Sequence, residues 1–272
     1  MRNAPIGVMD SGVGGLTVVA EVWRQLPREQ VLFYGDSLRC PYGDRDPQDI
    51  ASYTFRALDF LSDQGVKMLV IACNTATAIC LEEARARYSI PVLGVIGPGA
   101  RAAIAATSNR RIGVIGTHAT VSSDSYAKAL RQTHRGLSIQ SVACPSFVGL
   151  VESGRVDGDE ASRTVADALA PFSGSGIDTL ILGCTHYPLL APMIATVLGP
   201  DVTLISSAEE TARDVSLWLT EQHMSSMALC DPRHLFYTSG SAERFAVMGE
   251  RWLGVPIDVS HHDVWKCSDE AL

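Results

Sequence analysis

Basic side chains are scarce in this chain: 22 Lys and Arg stand against 30 Asp and Glu over 272 residues, a net charge of −8. A broad nucleic-acid surface, which draws on clustered Lys and Arg, is therefore not expected. An acidic small molecule is not excluded, since a few local donors suffice to hold one. Long apolar runs are missing too, because charged or glycine-containing segments interrupt each of them short of a membrane span. Met1-Arg2-Asn3-Ala4-Pro5 leads straight into the strand-like Ile6-Gly7-Val8-Met9, which leaves no room for a signal peptide and points to the cytoplasm. No C-x-x-C occurs, and seven cysteines, an odd number, are spread over a chain far longer than a disulfide scaffold. Structural disulfides and zinc ribbons are both disfavoured. With 46% hydrophobic residues the chain can bury a sizeable core, as one large domain or two modest ones.

Two of the cysteines stand out. Cys73 closes the apolar run of Met68-Leu-Val-Ile-Ala-Cys-Asn-Thr-Ala-Thr-Ala78, and Cys184 closes that of Thr179-Leu-Ile-Leu-Gly-Cys-Thr-His-Tyr-Pro188. Each run reads as a buried parallel strand, with the cysteine where the strand gives way to a helix. Open α/β sheets carry their chemistry at that junction. Ile6-Gly7-Val8 recurs as Ile112-Gly113-Val114, at nearly the displacement that separates the two cysteines. The spacing predicts two related α/β halves that contribute one thiol each, with a cleft between them.

Strand-like runs at Ile6–Met9, Val31–Tyr34, Met68–Ala72, Val92–Val95, Ile112–Ile115, Leu137–Val142, Thr179–Leu182, Val202–Ile205 and Leu235–Thr238 alternate with amphipathic stretches. That alternation predicts βα units around parallel sheets. Gly94-Val-Ile-Gly-Pro-Gly99 is the expected crossing between halves, because its residues interrupt regular structure. A helix is expected only afterwards, over 101–106. A return crossing near Ile205-Ser206-Ser207 places residues 1–97 and 207–272 in the first half and 98–206 in the second. The polar tail from Ser260, with His261, His262 and Cys267, reads as an exposed terminus or a small metal-binding tract.

Asp10-Ser-Gly-Val-Gly-Gly15 lies between a strand and a helix, where glycines let a ligand approach the backbone and helix N–H groups meet an anion. The glycines do not fit a dinucleotide fingerprint. Asp10 itself reads either as a turn or capping residue or as part of a site. Cys73, at a helix start beside Asn74 and Thr75, suits a thiolate, although a free cysteine is commonly a buried small hydrophobe. Cys80, Cys144 and Cys230 take that second reading. His186 stands two residues after Cys184 and ahead of Pro188, a favoured first helical position. A Cys-His hydrolase would need an oxyanion hole and a third orienting residue, and neither can be located in the sequence. Pro41-Tyr42-Gly43 reads as a surface turn or as a rigid loop over the cleft. Thr117 and Thr120 supply hydroxyls at the sheet edge that carries Cys184, and Glu152 reads as a helix-end carboxylate.

Taken together, Asp10-Ser11-Gly12-Val13-Gly14-Gly15, Pro41-Tyr42-Gly43, Cys73-Asn74-Thr75, Ile112-Gly-Val-Ile-Gly-Thr117, Cys184-Thr185-His186-Tyr187-Pro188 and Phe236-Tyr-Thr-Ser-Gly240 resemble the glutamate racemases, in order and spacing, over nearly the whole chain. The wider aspartate/glutamate racemase superfamily shares only the cysteines and the architecture. The resemblance implies interconversion of L- and D-glutamate without pyridoxal phosphate or metal, supplying D-glutamate for peptidoglycan, in a homodimer. It implies Cys73 and Cys184 as the acid/base pair, Asp10 and His186 as their assistants, and Glu152 as support for the histidine. Asp10, Ser11, Pro41, Tyr42, Gly43, Asn74, Thr75, Thr117, Thr120 and Thr185 would hold the substrate. Neither cysteine motif contains Lys or Arg, so substrate carboxylates would rest on backbone N–H groups and on Ser, Thr and Asn donors. Gly97 and Gly149 depart from the family pattern, which carries an acidic residue and a proline there. An aspartate racemase or a maleate isomerase is the nearest enzyme alternative, disfavoured by Asp10-Ser11 and Thr185-His186; a non-catalytic thiol sensor is an alternative of another class.

Overall fold

The structure, a computed structural model, describes residues 2–265. Ten strands run in chain order: β1 (Ile6–Asp10), β2 (Val31–Gly35), β3 (Met68–Ile71), β4 (Val92–Gly94), β5 (Arg111–Gly116), β6 (Ser138–Ala143), β7 (Thr179–Gly183), β8 (Thr203–Ser206), β9 (Leu235–Thr238) and β10 (Val259–His261). They form two sheets, β10-β9-β2-β1-β3-β4 and β6-β5-β7-β8, in which every pairing is parallel. The α/β expectation of two parallel-sheet halves holds. β1, β2, β3 and β7 are buried along their whole length, as continuous apolar runs covered on both faces must be.

The helices are α1 (Leu16–Gln25), α2 (Pro47–Asp63), α3 (Asn74–Arg87), α4 (Ile96–Ala106), α5 (His118–Ser122), α6 (Ser125–Thr133), α7 (Ser146–Glu152), α8 (Gly158–Leu169), α9 (Ala191–Leu198), α10 (Ser207–Glu221) and α11 (Ala242–Leu253). Val18 and Val22 of α1, Ala212 and Val215 of α10 and Phe245 of α11 cover one face of the six-stranded sheet. Ile50 and Leu58 of α2 and Ala84 of α3 cover the other. Around the four-stranded sheet, α7 and α8 fill one core and α4 and α6 the other.

The repeat has a packing cause. In the first sheet Gly7 of β1 pairs with Leu69 of β3, and in the second Gly113 of β5 pairs with Leu180 of β7. A Cβ on Gly7 would stand 3.2 Å from the Leu69 side chain, and one on Gly113 would stand 2.7 Å from that of Leu180. Each central strand thus leaves little room for a Cβ at the matching position, less at Gly113 than at Gly7. Each is also flanked by the second and third strands of its sheet, so the chain reverses direction there. That switch point opens a crevice at the carboxyl end of β1 and β3, and another at β5 and β7.

Two segments depart from the sequence reading. Gly97-Pro98-Gly99 lies inside α4, which starts at Ile96 rather than near 101. Pro98 falls in the first turn, where its missing N–H has no helical partner to lose. The described part of the tail, 260–265, is also not a bare terminus, although Ser260 and His261 are exposed. Val259–His261 adds β10 to the edge of the six-stranded sheet, and the His262 ring stacks on Phe60 at 4.3 Å. Three residues are too few to show a strand period, so no pattern marked β10. Cys267 lies outside the described residues.

Candidate active site

Both crevices open onto one another. From the first sheet, Asp10 ends β1, Ser11 follows it, and Cys73 follows β3 as the N-cap of α3. From the second, Thr117 follows β5 and caps α5, while Cys184, Thr185 and His186 follow β7. Ser11, Cys73, Asn74, Thr75, Thr117, Cys184, Thr185 and His186 line a single cavity of about 20 Å³, with Pro41, Tyr42 and Gly43 over it. Asp10, Thr120 and Glu152 stand just behind this wall. Larger surface clefts carry neither thiol of the pair.

The two sulfurs are held differently. Cys73 Sγ accepts from the Ala76 N–H at 3.5 Å and donates to Ser11 Oγ at 3.5 Å. Burial pushes this thiol up to about 12, Asp10 adds to the rise, and the Ala76 and Ser11 contacts oppose it. The helix start therefore does not make Cys73 a ready thiolate; desolvation next to a carboxylate outweighs it. Cys184 has no α-helix directly ahead, because Tyr187–Leu190 is a 3-10 turn and α9 begins only at Ala191. Its partner is the His186 ring, with Nδ1 at 3.7 Å from Sγ.

His186 Nε2 in turn lies 2.7 Å from Glu152 Oε1 at the end of α7. Burial works to lower the imidazole, but the contacts with Cys184 and Glu152 prevail and raise it to about 10. Asp10 is fully buried, and burial lifts it to about 6 against the pull of His186 and the Gly12 and Gly15 N–H groups. Thr185 Oγ1 donates to Asp10 Oδ2 at 3.3 Å, which joins the two halves through the site.

Hydroxyls fill the remaining wall. Thr75 Oγ1 lies 2.9 Å from Thr117 Oγ1 and 3.3 Å from Thr120 Oγ1, a cluster that also bridges the halves. Gly43 presses against Thr117 so closely that a Cβ there would stand 2.5 Å from the Thr117 Cβ. Tyr42 is buried rather than on a surface turn, and its hydroxyl donates to Asp36 Oδ2 at 2.7 Å. That bond anchors the Pro41-Tyr42-Gly43 loop and takes the phenol away from any ligand. Asn74 Oδ1 accepts from Tyr126 Oη at 2.6 Å, whereas Asn74 Nδ2 is buried with no partner. An orphaned buried donor costs about 1–3 kcal/mol, so a ligand acceptor there recovers a real penalty.

Against known proteins, residues 6–215 match the model of the Asp/Glu/hydantoin racemase family. The chain belongs to that family. It is 51% identical over 255 residues to a glutamate racemase from Exiguobacterium sibiricum, covering 94% of each chain. Among solved structures, glutamate racemase isoform RacE1 from Bacillus anthracis matches with a TM-score of 0.94 and 48% identity, over 97% of this chain and 98% of that one. Glutamate racemase from Francisella tularensis, in complex with D-glutamate, matches with a TM-score of 0.91 and 33% identity, over 97% and 99%.

Three further side chains of this family member reach the site without having been singled out in the sequence. Cys40 precedes Pro41 and aims its thiol at Glu152 Oε1, 3.8 Å away. Tyr126 of α6 orients Asn74, and Trp252 of α11 sets its ring edge against His186 at 5.7 Å between centroids. For Cys40 the adjoining Pro-Tyr-Gly turn was a usable signal; for Tyr126 and Trp252 there was none, since both sit on amphipathic helices that read as core. Cys80 and Cys144 are buried among apolar side chains, as expected, and Cys230 is exposed.

Proposed function

We propose that this chain interconverts L- and D-glutamate by a two-base mechanism, with Cys73 and Cys184 as the acid/base pair. The observation that carries the reading is the convergence of two thiols, each from the carboxyl end of a strand in a different sheet, on one small cavity. Inverting an α-carbon requires a base on one face and an acid on the other. One thiolate takes the α-proton, the electron pair left behind spreads into the α-carboxylate, and the opposite thiol returns a proton to the other face. Thiol and thiolate have then exchanged places, and no pyridoxal phosphate or metal is called for by this proton balance. A sulfur that burial pushes to about 12, once ionised, is a strong base toward a reluctant C–H.

Asp10 and His186 assist the two sulfurs, and Glu152 supports the histidine. Ser11, Asn74, Thr75 and Thr117 offer hydroxyl and amide donors to the substrate carboxylates, Thr185 joins them once its hydroxyl turns from Asp10 to the substrate, and Pro41, Tyr42 and Gly43 close over them with Thr120 bracing Thr75 and Thr117. The cavity wall carries no Lys or Arg. The orphaned Asn74 Nδ2 supports such donor recognition. The two halves, 1–97 with the segment from 207 and 98–206, supply one sulfur each. Relatives named glutamate racemase at about half identity support glutamate over aspartate. Supply of D-glutamate to peptidoglycan, cytoplasmic residence and a homodimer complete the proposal. No helix of the described residues is long and apolar enough to cross a membrane.

Incubation with each glutamate enantiomer in deuterated water, followed by NMR, tests it. Loss of the α-proton signal together with decay of optical activity to zero from either side is expected. Exchange only with aspartate, or only after addition of pyridoxal phosphate, overturns it.

A further inference from the structure

We propose that Cys40, Glu152 and His186 form a binding site for a zinc-class divalent cation, and that a cation bound there switches off the chemistry at Cys184. One donor atom from each residue, the sulfur, a carboxylate oxygen and a ring nitrogen, lies within 4.8 Å of the other two. Glu152 Oε1 is the hub, 2.7 Å from His186 Nε2 and 3.8 Å from Cys40 Sγ. Sulfur, imidazole and carboxylate are the ligand types of zinc, at bond lengths of about 2.0–2.3 Å that set neighbouring ligand atoms roughly 3–4 Å apart. The cluster is already near that spacing. Three protein ligands leave a fourth position for water. Cys40 has no part in the proton transfers proposed above, so the site recruits a spare thiol to two residues that serve Cys184.

Access and charge both suit a cation. The Glu152 side chain is 34% exposed, so the central donor of the cluster meets solvent while the imidazole is buried. A dication at bonding distance deprotonates a coordinating thiol outright. The Cys40 proton and any proton on His186 Nε2 then leave to solvent, and one thiolate plus one carboxylate neutralise the two positive charges. The metal holds Nε2, so the ring keeps a single proton on Nδ1, the nitrogen 3.7 Å from Cys184 Sγ. Glu152, now a ligand itself, no longer supports the ring that serves Cys184.

Binding stands apart from the proposed racemase activity, whereas inhibition rests on it, so the two are read separately. Cobalt(II) titrated into the reduced full chain reports a thiolate ligand directly, through a near-ultraviolet sulfur-to-cobalt charge-transfer band that zinc displaces. The band is expected in the unaltered protein and in Cys184→Ser, and is expected to vanish in Cys40→Ser. Metal affinity should fall by at least about tenfold in Cys40→Ser, the size of loss that even an outer-shell change produces. Zinc should also protect Cys40 from alkylation in the unaltered protein, read by peptide mass spectrometry with the exposed Cys230 as internal control. A band that survives Cys40→Ser but disappears in Cys184→Ser overturns the site, as does the absence of both band and protection. Band and protection without loss of racemisation overturn the inhibitory role alone.

Discussion

Tyr126, on a helix of the second half, donates its hydroxyl to Asn74 Oδ1, on the first helical residue after Cys73, at 2.6 Å. The bond crosses the cleft and fixes which end of the Asn74 amide is left for a ligand. The free end is Nδ2, the buried donor without a partner.

Tyr126→Phe removes that constraint while keeping the ring. The amide can then turn, and its donor is no longer held toward the cavity. A neutral hydrogen bond contributes about 0.5–1.5 kcal/mol, so KM for glutamate should rise by about two- to tenfold with a smaller change in kcat. Steady-state kinetics in both directions check it; an unchanged KM would remove Asn74 from substrate recognition.

The paired thiols make a directional prediction. With Cys73→Ser, proton abstraction from D-glutamate should fail, and with Cys184→Ser, abstraction from L-glutamate should fail, each by at least about 100-fold. A β-substituted glutamate analogue with a leaving group isolates the abstraction step, because elimination requires no reprotonation at the α-carbon. Each single variant should still eliminate from one enantiomer, and the two should prefer opposite ones. Two variants that favoured the same enantiomer would leave a single catalytic thiol.

Activity should fall at both ends of the pH range. Asp10, lifted by burial to about 6, gains a proton as pH drops below that value, and the carboxylate that faces His186 and Thr185 is lost. His186 loses its proton as pH rises through about 10. Glu152→Gln removes one of the contacts that raise His186, so the basic limb should move to lower pH. The lost hydrogen bond to a charged group is worth about 1.5–3 kcal/mol, or about ten- to a hundredfold in kcat. A basic limb that stays in place would show that His186 does not govern it.

The same groups set a stability trend. The folded value of His186 lies above its ordinary 6.5, so its contribution is whole below pH 6.5 and is lost as pH rises through about 10. Denaturant titrations across that window should show a decline that Glu152→Gln makes shallower. A slope identical in both proteins would place the pH dependence elsewhere.

Two glycines should respond in opposite ways. A Cβ on Gly14 would stand 2.3 Å from Thr185 Oγ1 and 2.7 Å from His186 Nδ1, so Gly14→Ala pushes apart the residues that serve Cys184. A destabilisation of about 1–3 kcal/mol and a severe loss of activity are expected. Gly149, inside α7, has nothing within 4 Å of its would-be Cβ. Gly149→Ala should stabilise by about 0.4–1 kcal/mol by restricting the unfolded chain. Thermal melts of the two variants, with activity alongside, decide the contrast.

Periodicity and punctuation alone determined nine of the ten parallel strands, the twofold repeat and the junction where each sulfur of the Cys73 and Cys184 pair would lie, because apolar runs and strand-to-helix transitions are local properties of a chain. Only the tertiary structure decided what surrounds those sulfurs. Cys40 reaches Glu152 across 112 positions, Thr185 reaches Asp10 across 175, and the first turn of α4 accepts a proline that reads as a break. The ionisation of Cys73 is the clearest case. Its sequence neighbours promise a thiolate at a helix start, but the penalty for burying a charge beside Asp10 depends on how two separate sheets close around it, and that packing is not written in any local pattern.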